Sequence, residues 1–117
     1  MADSRYEAIF HKTGTVNLLI DPSDGSVVNA NERACAYYGF TQPELTSKTV
    51  FEINTLSRDE IAREMQLAET ERRSHFRFGH RLASGEVRNV EVYSTPIEID
   101  GQTLLHSVVF DIEDRLR

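Results

Sequence analysis

Apolar positions follow two periods along this chain, and the order of those periods outlines the architecture. Over Phe76-Arg77-Phe78-Gly79-His80-Arg81-Leu82 apolar and polar residues alternate, and Ala83-Ser84-Gly85 follows as a turn. Residues 87–99 alternate again, until Asp100-Gly101 turns the chain a second time. Residues 104–112 form a third apolar run that ends Asp111-Ile112-Glu113-Asp114-Arg115. Three such runs joined by glycine turns predict an antiparallel meander. The other signals are helical. Tyr6, Ile9 and Phe10 stand at i, i+3 and i+4, a short stripe near the start. Asn31 suits an N-cap and Gly39 the left-handed stop of the helix between them. Thr41 with Glu44, and Ser57 with Glu60, have capping-box spacing. The second box opens the longest predicted helix, residues 58–73, where Ile61, Met65 and Ala68 form a narrow apolar stripe. Glu69 and Arg73 are spaced to pair on its wet face. Residues 46–56, with Val50, Phe51, Ile53 and Leu56, lack a period and predict short turns that wall the core.

Two strands, then helices, then three strands do not make a β-α-β alternation. The order predicts an α+β fold, with helices on one face of an antiparallel sheet. At 117 residues one domain with a single core is expected. The net charge of -6 argues against nucleic acid as a partner, which needs a basic face. No apolar run is long enough to span a bilayer and no signal-peptide pattern opens the chain, so direct membrane insertion is not expected. The single cysteine excludes an internal disulfide and fits a reducing, cytoplasmic setting. Phosphate-loop, zinc-protease and nucleophile-elbow motifs are absent, and Asp21, Asp24 and Asp100 fall in turns where aspartate has backbone reasons to be. No catalytic or metal-binding residue is assigned, and an enzyme is not expected; a small α+β enzyme such as an isomerase is the last-ranked alternative.

The chain resembles a PAS domain. The meander and its Asp111-Ile112-Glu113 ending resemble the family's C-terminal half, whose last strand typically closes Asp-Ile-Thr before a charged helix. Glu113 departs from that threonine. Val16 to Asp21 looks like the first strand, Pro22-Ser23-Asp24-Gly25 the turn, and Ser26 to Asn31 the second strand. Tyr37-Tyr38-Gly39-Phe40 resembles the short helix that ends at a glycine, and Thr41 to Leu45 the turn-helix that follows. The resemblance implies a five-stranded sheet with the first strand central and a pocket closed by helices. It divides the chain into an N-terminal helix or linker over 1–12, the sensor domain over 13–113, and the start of an output linker helix over 114–117. The implied function is sensory. A small molecule, a dimer contact, or both would relay a change to a C-terminal effector of the diguanylate cyclase or histidine kinase type. A ligand-free dimerisation and relay module is the alternative.

Matching the glycine turns and Asp111 to the family pattern assigns the faces, since a strand shows alternate residues to opposite sides. Phe76, Phe78 and His80, then Val90, Val92 and Ser94, then Leu105, Ser107 and Val109 are expected to face the pocket, with Leu18 and Ile20 from the first strand. Tyr37, Phe51, Ile53, Ile61 and Met65 are expected from the helical side. Leu104, His106, Val108, Phe110 and Ile112 then form an apolar row on the other face. Either the chain's own N-terminal helix covers that row, or Tyr6, Ile9, Phe10, His106, Val108 and Phe110 form a homodimer interface.

His80 is the polar residue expected to meet a ligand, against the alternative of a core histidine satisfied internally. The long helix carries no histidine for haem, and Cys35 lies outside the reactive-cysteine motif of the family's flavin-binding branch. Both cofactors are disfavoured; the cofactor stays unknown, with a small organic ligand possible. Asp111, Ile112 and Arg115 are the expected output residues, with Arg115 a candidate partner for Asp111.

Overall fold

The Asp100-Gly101 turn, with both residues at positive φ, folds the two longest strands into one hairpin. The computed structural model describes residues 4–113, with side chains from Glu7 onward. In chain order these residues form α1 (Ser4–Lys12), β1 (Val16–Ile20), β2 (Val27–Ala30), α2 (Glu32–Tyr38), α3 (Gln42–Leu45), α4 (Val50–Ile53), α5 (Arg58–Glu69), β3 (His75–Arg81), β4 (Val87–Ile99) and β5 (Gln102–Asp111). All pairings are antiparallel and the strand order is β2-β1-β5-β4-β3. The fifth strand is therefore central, not the first. β5 bridges the early pair and the late hairpin, a non-local pairing that no local pattern encodes.

The caps form as their chemistry demands. Asn31 accepts from the Ala34 N–H, and the boxes Thr41/Glu44 and Ser57/Glu60 close in both directions. In the predicted turn region Glu52 supplies half of such a box, accepting from the Thr49 N–H at 2.7 Å where α4 opens. The long helix is shorter than its charge pattern suggested. It ends at Glu69, Glu71 takes φ 59, and Arg73 pairs with Glu64 instead of Glu69.

Each face of the sheet has its own cover. α2 to α5 lie over the inner face, where Leu18, Ile20, Val92, Leu105 and Val109 join Tyr38, Leu45, Ile53 and Ala68 in the main core. On the outer face Phe10 of α1 packs on Leu19 and Leu104, with Ile97 and Ile99 beside them. Phe10 is only 2% exposed, so the chain itself buries this member of the expected dimer interface. Tyr6 lies outside the described side chains. Ile112 also leaves the expected outer row. β5 ends at Asp111, the Ile112 N–H bonds the Asn89 carbonyl, and the side chain is buried near Phe78 and Val90.

Candidate functional site

The inner core is not filled. Between the sheet and α4–α5 lies a cavity of about 60 Å³. Its apolar wall comes from Leu18, Ile20, Val50, Ile61, Met65, Ala68, Phe76, Phe78, Val92, Leu105 and Val109, and its polar lining from Asn54, Glu64, His80, Ser94 and Ser107. The expected residues Phe76, Phe78, His80, Val92, Ser94, Ser107, Val109, Ile61 and Met65 meet here. Four others do not. Val90 is fully buried, but it borders a separate cleft with Ile112. Ile53 is core. Phe51 packs towards the Gly25 turn and holds the Arg58 guanidinium over its ring at 4.1 Å. Tyr37 points to the sheet end, and its neighbour Tyr38 takes the inward place.

Tyr38 makes the contact that the sequence reading missed. Its hydroxyl lies 2.7 Å from His80 Nδ1, and both side chains are buried. Burial pushes the phenol far above its ordinary range and the imidazole down to about 4, so both groups are neutral at pH 7. The pair then has one arrangement that wastes least. Among the described residues Tyr38 has no other side-chain partner, so its O–H donates to Nδ1 and the imidazole proton sits on Nε2. That Nε2–H has no acceptor among the described residues.

Asn54 adds a second buried donor. Its Oδ1 accepts from the Leu56 N–H, while its Nδ2 has no partner among the described residues, at 5% exposure. A β-bridge sets Asn54 beside His80, and the Thr55 N–H bonds the Gly79 carbonyl. Gly79 permits this approach, since a Cβ there would come 2.8 Å from Thr55 Oγ1. Opposite, Ser94 and Ser107 hydroxyls pair at 2.8 Å, which uses one of their two protons. At the rim Glu64 pairs with Arg73, whose guanidinium covers the Phe76 ring. Asn54 and Glu64 were missed too. Glu64 could have been found, being three residues from Ile61 and four from Ala68, hence on the apolar stripe.

One residue away from the cavity contact, α2 meets the end of β5. The Tyr37 hydroxyl donates to Asp111 Oδ2 at 2.7 Å. Arg88 Nε donates to the same oxygen at 2.7 Å and Nη2 to Oδ1 at 3.2 Å, while the Glu113 N–H also bonds Oδ1. Partial burial raises the Asp111 carboxyl, and the bonds from Arg88, Tyr37 and Glu113 outweigh it, leaving it at about 2. Burial and the bond to Asp111 push the Tyr37 phenol up. Arg115, the expected partner, lies outside the described residues.

The outer face keeps an open patch beyond α1. Tyr93 and Phe110 meet edge to face with centroids 5.9 Å apart and are 44% and 43% exposed. Ile9 is more exposed, Val108 is half-buried, and half-buried His106 bonds Asn17 Oδ1 through Nε2.

A sequence model of the PAS fold family matches residues 16–115. Over 114 residues the chain is 35% identical to the diguanylate cyclase DgcM of Escherichia coli K12, covering 96% of this chain and 28% of that protein. The PAS domain of an HTR-like protein from Haloarcula marismortui superposes with a TM-score of 0.82, over 93% of this chain and 90% of that one, at 22% identity. A PAS domain from a two-component sensor histidine kinase gives 0.76, over 93% and 99%, at 15% identity. At such identities the two structures speak for the fold alone. Among the described residues no helix is long and apolar enough to cross a membrane.

Proposed function

This chain belongs to the PAS fold family, a family of sensory modules, and from that premise we propose that its cavity holds a small molecule and that adjacent tyrosines carry occupancy to an effector. The observation behind the proposal is the division of labour at the end of α2. Tyr38 bonds His80 in the cavity wall, and Tyr37 bonds Asp111 where β5 ends. A ligand that takes the His80 Nε2–H changes the imidazole that Tyr38 holds. Any shift of the last turn of α2 then reaches the Tyr37–Asp111–Arg88 cluster. The energy required is small, because output needs only a differential preference between two arrangements. The effector is proposed to be a diguanylate cyclase, in keeping with the relative of which this chain matches 28%; a histidine kinase is the second choice. The same reading sets the domain over 13–113, an output linker from 114, and a cytoplasmic home.

The test follows NMR signals of Asp111–Glu113 as the cavity is filled. In the native chain they should shift on filling; in Tyr37→Phe the shift should shrink several-fold with cavity binding unchanged. Undiminished transmission in Tyr37→Phe would remove the tyrosine route.

A second reading is association of two copies through the outer face, for which the exposed Tyr93–Phe110 pair and Ile9 are the favouring observation. Phe110→Glu should turn a dimer into a monomer in sedimentation at matched concentration. An unchanged sedimentation coefficient would set this interface aside.

A further inference from the structure

Two buried nitrogen donors without partners among the described residues, beside the one hydroxyl proton that the Ser94–Ser107 pair leaves unused, are a chemical description of what the cavity receives. We infer that the ligand is a short, uncharged carbonyl compound — a ketone, aldehyde or amide — whose oxygen accepts from His80 and Asn54 while its carbon chain lies on the phenylalanine side. The inference rests on the ligand-binding reading above and narrows it.

Size comes first. At roughly 10–15 Å³ for each water-sized occupant, about 60 Å³ admits about four to six heavy atoms. Polarity comes next. His80 Nε2–H and Asn54 Nδ2 both line the cavity, both belong to side chains more than nine-tenths buried, and both lack acceptors among the described residues. A hydrocarbon would leave them unsatisfied. An ammonium compound has only donors to offer, which leaves His80 and Asn54 unsatisfied, and the one carboxylate of the lining, Glu64, is already paired with Arg73. A carboxylate brings acceptors, but no Lys or Arg lines the cavity, and the acidic lining residue Glu64 would face it. An ion buried without a counter-charge is strongly disfavoured. A carbonyl oxygen offers two lone pairs and no charge, and it asks for no acceptor in return. Apolar carbon then meets Phe76, Phe78 and Val92.

The experiment is an NMR titration of the chain with three probes of about four to six heavy atoms, 2-butanone, butanoate and propylammonium, and with xenon as an apolar filler. Side-chain signals of Asn54 and His80 report binding. The expected result is that 2-butanone binds at least tenfold more tightly than butanoate or propylammonium, as one unsatisfied buried donor suffices to give. Asn54→Leu should erase that preference while xenon still enters. Equal or tighter binding of either ion would overturn the carbonyl assignment and leave the ligand-binding reading in place. If none of the four, xenon included, perturbs the cavity signals, both fail together. If Asn54→Leu does not fold, the native chain's ranking of the three probes decides alone.

Discussion

Tyr37 and Tyr38 adjoin in sequence, yet their hydroxyls serve opposite kinds of site. Around Tyr38 everything is buried and neutral, and desolvation keeps both phenol and imidazole uncharged. Around Tyr37 the partners are an ionised carboxylate and a guanidinium near solvent. The difference assigns different work to each. A buried neutral contact is costly to break and insensitive to salt, so it suits the fixed wall of a pocket. A near-surface ionic cluster is weak and screened, so it suits a junction that must change state.

Removing the buried side should cost most. Tyr38→Ala deletes an aromatic side chain from the core and should lower stability by about 3–5 kcal/mol, read by chemical denaturation. A loss below about 1 kcal/mol would mean that the core closes over the gap. Acid attacks the same site through His80. The unfolded imidazole takes a proton near pH 6.5 and the folded one only near 4, so the unfolded state binds more protons between those values. Stability is complete above pH 6.5 and falls as pH drops towards 4, by about 3 kcal/mol in all at 1.36 kcal/mol per pKa unit. His80→Phe should flatten that slope between pH 6.5 and 4.5; an unchanged slope would assign it to other groups. On the exposed side Tyr37→Phe should cost about 0.5–1.5 kcal/mol. Arg88→Gln should cost less still, and its loss should shrink in high salt. Melting temperatures at two ionic strengths check this, and an equal loss at both would contradict an electrostatic role.

Much of this was legible where signals are local. Alternation and the turns at Ala83-Ser84-Gly85 and Asp100-Gly101 located β3, β4 and β5, and matching those turns and Asp111 to the PAS pattern put Phe76, Phe78, His80, Val92, Ser94, Ser107 and Val109 on the cavity face. The capping boxes located α3 and α5. What failed was decided at a distance. A seven-residue helix has too few turns to set its phase, so Tyr37 was read inward in place of Tyr38. Asn54 is polar in an irregular stretch, and its burial arises from a glycine twenty-five residues further on. Arg73 had a fitting neighbour in Glu69, but the helix stopped short and Glu64 took the pairing. The outer row was expected to be uniform, yet α1 covers one part, Ile112 turns inward, and Tyr93 with Phe110 keeps the rest open.

Gly39 ends α2 at φ 84, and the Tyr38 carbonyl accepts from the Ala83 N–H at 2.7 Å. This fastening holds the last helical turn to the β3–β4 connection, with the two tyrosine side chains about 100° apart around the axis. The turn works as a coupling piece with two separate attachments. On the proposed reading, substitutions around His80 and Asn54 alter what is recognised without touching Asp111, and changes at Arg88 or Asp111 alter what is signalled without touching the cavity. A sensor built this way can acquire a new stimulus while keeping its old output, and only the pinned turn between them has to be inherited intact.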